Sequence, residues 1–181
     1  MKLYDCIFLD RDGTINPDPG YIKTLDEFRF FSYTISSLIR LSKYKNRFCI
    51  VTNQSGVSRA LIKEDDLNKI HLFIKSEFKK NNIPLLDIYI ATDHPDNNPS
   101  IMRKPGSGMF LKARDDHGID LLNSLIIGDS FSDMEAGRCL GMDRMLVLSG
   151  LGTKTLKQFH ENNMPNYIVK NLNEGAINLC L

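Results

Sequence analysis

Short apolar runs recur along the 181-residue chain, and each breaks off on polar or acidic residues. Four of them, DCIFLD (5–10), FCIVTN (48–53), DIYIATD (87–93) and SLIIGD (124–129), are bounded by polar or glycine-containing turns and predict buried strands. Between them the apolar positions fall at helical spacing. Ile35, Leu38, Ile39 and Leu41 make one stripe, and Leu67, Ile70, Ile74 and Phe78 make a second. A third helix is read in GMFLKARDDHG (108–118), with Gly118 as its C-cap. Strands alternating with helices predict a mostly parallel sheet covered on both faces, a doubly wound, Rossmann-like α/β fold. DRMLVLSG (143–150) and YIVK (167–170) are read as further edge strands. The tail from Gly150 reads as an ordinary helix and closing strand, with Lys154, Lys157 and His160 as surface charges.

Two stretches stand outside the alternation. NPDPGYIKTLDEF (16–28) follows the first strand at once, and DHPDNNPSIMRKPGSG (93–108) holds three prolines and two glycines. Both predict irregular loops, and long loops in compact domains tend to carry function. The length suits one core, so residues 1–181 are expected to form a single domain. With 42% hydrophobic and 25% charged residues the chain reads as globular. Its formal charge of +1 gives no general pull toward nucleic acid or an anionic membrane, so any phosphate specificity must be local. The four cysteines form no CxxC pair, and three sit among apolar neighbours, which favours buried thiols over disulfides or zinc. No signal-peptide core or membrane-length apolar run is present, and a cytoplasmic location is expected.

The candidate chemistry sits where the apolar runs end. Ligands of an open parallel sheet bind outside the carboxyl ends of its strands. Those ends carry Asp10 with Asp12, Thr52 with Asn53, Asp93 with His94, and Asp129. Each alone has the ordinary reading of a cap or turn residue. As a set they suggest a site, because clustered carboxylates raise one another's pKa unless they share a proton or a cation. Magnesium suits a cluster of Asp10, Asp12 and Asp129, since it takes oxygen ligands and only one or two carboxylates alongside substrate phosphate. A carboxylate can also attack phosphorus while a second protonates the departing oxygen.

In order along the chain, FLDRDGT, VTNQSG, RKP and IGDSFSDMEAG resemble the four motifs of the haloacid dehalogenase-like phosphohydrolases. DRDGTIN, GYI, TNQSGVSRA, DHP, RKPGSGM and GDSFSDMEAG are further similar to the branch of the heptose 1,7-bisphosphate and histidinol-phosphate phosphatases, which lacks a large cap domain. The resemblance implies a magnesium-dependent phosphatase of a small phosphorylated metabolite. Removal of the 7-phosphate of D-glycero-D-manno-heptose 1,7-bisphosphate is the leading reading. Histidinol phosphate, or a non-catalytic relative that binds sugar phosphate, is the alternative. By the same resemblance Asp10 would be the nucleophile and Asp12 the acid and then the base. Magnesium would be held by Asp10, the main-chain carbonyl of Asp12 and Asp129. Thr52 and Lys104 would hold the transferring phosphoryl group, an electrostatic task. Asp18, Gly20, Tyr21, Asn53, Ser55 and Arg103 would contact substrate, and Asp133 would cap a helix or orient Lys104. A monomer with neither nucleic acid nor membrane as partner is expected.

The chain departs from that branch in two places. Its members commonly carry a zinc loop of CxHxP and CxC before RKP, where this chain has Thr92, His94, Ser100 and Met102. One histidine without thiolates cannot close a tetrahedral site, so no structural zinc is expected, and proline and packing alone would order the loop. Ser130 stands where a lysine is common in the heptose enzymes.

Overall fold

The computed structural model describes residues 3–94, 96 and 100–180. Six strands, β1 (Cys6–Leu9), β2 (Arg47–Asn53), β3 (Leu85–Ala91), β4 (Ser124–Gly128), β5 (Asp143–Val147) and β6 (Tyr167–Val169), form one sheet in the order β3-β2-β1-β4-β5-β6. Every pairing is parallel, as the alternation of strand and helix predicts. The expected edge position of β5 is wrong. Met145, Leu146 and Val147 pair with β6, so β3 and β6 are the edges.

Side-chain alternation sorts β1 onto two cores. Ile7 and Leu9 join the layer of α1 (Thr34–Ser42), α2 (Glu64–Lys80) and α6 (Leu172–Cys180). Cys6 and Phe8 join the layer of α3 (Gly108–His117) and α4 (Phe131–Cys139). All four are buried, which is why the strand reads as an unbroken apolar run. The short α5 (Gly152–Leu156) follows β5. Gly118 ends α3 in the left-handed region, its N–H donating to the Arg114 carbonyl at 2.8 Å.

The chain closes on α6 rather than on a strand. Leu172, Ala176 and Leu179 recur at helical spacing and share a core with Leu38 and Leu41 of α1. Asn171, Asn173, Gly175 and Asn178 dilute that stripe in the sequence, so only the packing partner reveals it. All four cysteines are free, but only Cys6 and Cys49 are buried, while Cys139 is exposed and Cys180 intermediate. No helix among the described residues is long and apolar enough to cross a membrane.

Strand order reverses between β1 and β4, where a doubly wound sheet opens a crevice at its carboxyl edge. The Phe8 ring of β1 meets Phe110 of α3 edge-on below that crevice, with centroids 5.0 Å apart. Phe110→Ala is expected to cost about 3–5 kcal/mol of unfolding free energy. A lower urea midpoint at an unchanged slope would register it, and an unshifted midpoint would contradict this packing.

Candidate active site

β1 and β4 lie side by side, so the residues that leave their carboxyl ends, Asp10 and Asp129, emerge together. The Asp10 N–H still donates to the Ile127 carbonyl at 2.9 Å, which holds its side chain beside β4. One residue further along α4, the N-cap Ser130 and Asp133 form a capping box. Asp133 Oδ2 accepts from the Ser130 N–H and hydroxyl at 3.1 and 2.6 Å. Ser130 therefore caps α4.

Lys104 comes in from the opposite side, out of the loop after β3. Its buried ammonium donates to Asp10 Oδ1 and the Val51 carbonyl, each at 2.7 Å, and lies 2.6 Å from Asp133 Oδ1. Two of its N–H donors are thus hydrogen-bonded, and the contact with Asp133 is an ion pair. Burial lowers the Lys104 pKa, but Asp10 and Asp133 prevail and raise it above the ordinary lysine value. Asn53, expected to touch substrate, spends both ends of its amide on the Lys104 main chain. Its Nδ2 donates to the Lys104 carbonyl at 3.1 Å, and its Oδ1 accepts from the Lys104 N–H at 3.0 Å.

The loop ahead of Lys104 is tied by more than proline and packing. Asp93 Oδ2 accepts from the N–H and hydroxyl of Ser100 at 2.8 and 2.6 Å, and His94 Nδ1 accepts from the Asp96 N–H at 3.1 Å. Arg103 donates to the Asp93 carbonyl at 3.1 Å. Pro95 and residues 97–99 of this loop lie outside the described residues.

Asp129 sits between two chain segments that only glycine can form. Gly13 and Gly150 have φ of +82° and +55°, and a Cβ on either would lie 2.0 Å from Asp129 Oδ2. The Leu151 N–H donates to that oxygen at 2.7 Å. Asp10, Asp129 and Asp133 bring carboxylate oxygens within 4.8 Å of one another. The sequence reading places Asp12 in this cluster; Asp133 takes its place, drawn in by Lys104.

The Asp12 carboxylate has donors of its own. Arg11 grips it through Nε and a terminal nitrogen, at 2.8 to 3.1 Å. Asn16 Nδ2 donates to Oδ1 at 2.8 Å, and Gln54 Nε2 donates to Oδ2 at 2.7 Å. Gln54 Nε2 also donates to Thr52 Oγ1 at 2.8 Å, coupling the expected phosphate-binding threonine to the expected acid. The two aspartates of DRD thus avoid repulsion by facing different cations. Arg11, Asn16 and Gln54 were not singled out in the sequence, because their role depends on where the Asp12 side chain turns.

A cleft of about 360 Å³ opens over these groups, with Asp18, Gly20, Tyr21, Ser55 and Arg103 on its walls. Asp18 Oδ1 accepts from the Gly20 N–H at 2.8 Å and shapes the loop after β1. Magnesium takes hard oxygen donors, one or two carboxylates among them, and Asp10 and Asp129 are buried carboxylates on the cleft wall.

Burial, then Asp133, raises the Asp129 pKa to about 7, against the Leu151 N–H and Lys104. Burial, then Asp133, also raises Asp10 well above the carboxylate range, with Lys104 opposing and Asp129 adding. Each carboxyl holds its proton more tightly in the folded than in the unfolded state, so the stability this contributes is present below the unfolded carboxylate value and is lost as pH rises through the folded one, about 7 for Asp129. The slope is at most about 1.4 kcal/mol per pH unit for each proton. In chelator the melting temperature should fall between pH 5 and 8. Asp129→Asn, which can still accept from Leu151, should flatten that fall and melt above the wild type at pH 8. A variant curve parallel to the wild type would refute this assignment.

The HAD-hydrolase-like family model matches residues 101–175. The D-glycero-beta-D-manno-heptose-1,7-bisphosphate 7-phosphatase of Photorhabdus laumondii is 35% identical over 156 residues, covering 83% of this chain and 78% of the relative. The D-glycero-alpha-D-manno-heptose-1,7-bisphosphate 7-phosphatase of Campylobacter jejuni is 41% identical over 132 residues, covering 72% of this chain and 74% of the relative. Among solved structures, the D,D-heptose 1,7-bisphosphate phosphatase from B. bronchiseptica, complexed with magnesium and phosphate, superposes with a TM-score of 0.86 at 30% identity. That match covers 99% of this chain and 98% of the other. Fold, motif order and sequence identity agree: the chain belongs to the haloacid dehalogenase-like hydrolases, in their heptose bisphosphate phosphatase branch.

Proposed function

We propose that this protein is a magnesium-dependent phosphomonoester hydrolase that removes the 7-phosphate of D-glycero-D-manno-heptose 1,7-bisphosphate through an aspartyl phosphate on Asp10. The observation that carries the reading is the buried contact of Lys104 with Asp10 and Asp133 at the switch point of the sheet. A carboxylate so oriented can reach a phosphorus atom in the cleft, and the relatives named above act on heptose bisphosphates.

In the first step an Asp10 oxygen attacks phosphorus and the bond from phosphorus to the sugar oxygen breaks. Asp12 gives its proton to that oxygen. In the second step the Asp12 carboxylate takes a proton from water. The water oxygen bonds to phosphorus, and the bond from phosphorus to Asp10 breaks. Inorganic phosphate leaves, and both aspartates return to their starting forms. Once Asp10 is esterified it loses its charge, and Lys104 can turn the same N–H toward a phosphoryl oxygen. Thr52 would hold a second oxygen from the end of β2. Asp10, Asp129 and the Asp12 carbonyl would hold magnesium, which supplies charge neutralisation for the phosphoryl group.

The far end of the substrate falls to Arg103 and the loop of Asp18, Gly20 and Tyr21. A planar guanidinium suits the remaining 1-phosphate because it can engage two oxygens at once. Phosphate release should be fastest from a heptose 1,7-bisphosphate, with both anomers and histidinol phosphate tested side by side. Asp10→Asn should lower turnover by at least about three orders of magnitude. Near-wild-type turnover by that variant, or activity indifferent to chelation, would overturn the mechanism; preference for histidinol phosphate would overturn the substrate.

A further inference from the structure

Arg11 is 1% exposed, and a guanidinium at that depth must have each of its donors met. Its fork is spent on Asp12, and the remaining terminal nitrogen lies 3.4 Å from Nε2 of His71. His71 sits on the inner face of α2, in line with Leu67, Ile74 and Phe78, a position that the helical spacing reserves for an apolar side chain. A guanidinium can only donate, so His71 Nε2 accepts and the ring carries its proton on Nδ1. Burial, then the Arg11 charge, keeps the ring neutral by lowering its pKa to about 3, with Asp12 opposing and Lys75 reinforcing. A neutral acceptor behind the guanidinium is what allows the fork to be aimed forward at the carboxylate.

We propose that His71 is a positioning residue for acid–base chemistry: from α2 it fixes the Arg11 guanidinium, and Arg11 with Gln54 fixes the Asp12 carboxylate at the cleft. This inference rests on the phosphatase reading, because it assigns the network a task in leaving-group protonation. An apolar residue at position 71 would satisfy the core of α2 equally well. It would leave a buried guanidinium N–H without a partner and free the fork to turn. The loss should then fall on the step in which Asp12 gives up its proton, and only where that proton is needed.

Leaving-group dependence separates this role from a structural one. A sugar oxygen must be protonated as it departs, whereas p-nitrophenolate leaves unaided. The ratio kcat/KM reports the steps through leaving-group departure, so the later attack of water, common to both substrates, does not enter it. His71→Leu should lower kcat/KM for heptose 1,7-bisphosphate by roughly 10- to 100-fold, a part of what general acid catalysis provides. The same variant should change p-nitrophenyl phosphate by less than about twofold on that basis. His71→Gln, whose Oε1 can accept from Arg11, should restore most of the sugar-phosphate rate. Arg11→Lys, which keeps the charge but not the fork, should reproduce the selective loss even where His71→Leu fails to fold. An equal fall on both substrates, or a glutamine variant no better than leucine, would sink the inference while leaving the phosphatase reading intact. A wild-type protein that hydrolyses neither substrate would remove that reading and the inference with it.

Discussion

A single buried ammonium organises this site. Lys104 stands between Asp10 and Asp133 with a second hydrogen bond to the Val51 carbonyl, out of reach of bulk water. Burying a charge is costly unless partners surround it, and removing one partner of such a group leaves the others uncompensated. That constraint ties together the end of β1, the end of β2, the first turn of α4 and the loop after β3. It also sets Asp10, Asp129 and Asp133 against one cation among the described residues; burial, then the Asp133 charge, raises the Asp10 and Asp129 pKa values, which suits the pocket to a hard metal ion and a phosphoryl group.

The rest of the site is arranged around keeping Lys104 in place. Asn53 holds its main chain from β2, so the aim of the ammonium is inherited from the sheet rather than from the loop. Two hydrogen bonds from Ser100 to Asp93 tie the loop ahead of Lys104. The capping box of α4 turns Asp133 toward Lys104 while freeing Ser130 from any need to carry charge. Asp12 belongs to a separate electrostatic unit with Arg11, Asn16 and Gln54. This separation lets two carboxylates one residue apart take on different tasks.

Much of this architecture is legible in the amino-acid sequence. Short apolar runs and helical stripes predict the alternation of strands and helices, and the acids at the strand ends mark the functional rim. The edge assignment of β5 failed because a short apolar run looks the same whether it has one neighbour or two. The last helix was hidden because Gly175 and three asparagines interrupt its stripe. Cys139 and Cys180 were misplaced because local hydrophobicity does not say which face of a helix turns to solvent.

What the sequence by itself determined is the parallel sheet and the acids at its strand ends, since both follow from local periodicity and from where apolar runs stop. Tertiary structure alone decided which carboxylate joins which cation. Asp133 rather than Asp12 completes the acidic cluster because Lys104 reaches it across the sheet. Asn53 serves Lys104, and His71 backs Arg11 from a helix sixty residues away in sequence. Such partnerships are set by side-chain direction at close range, and a linear order of residues carries no record of it.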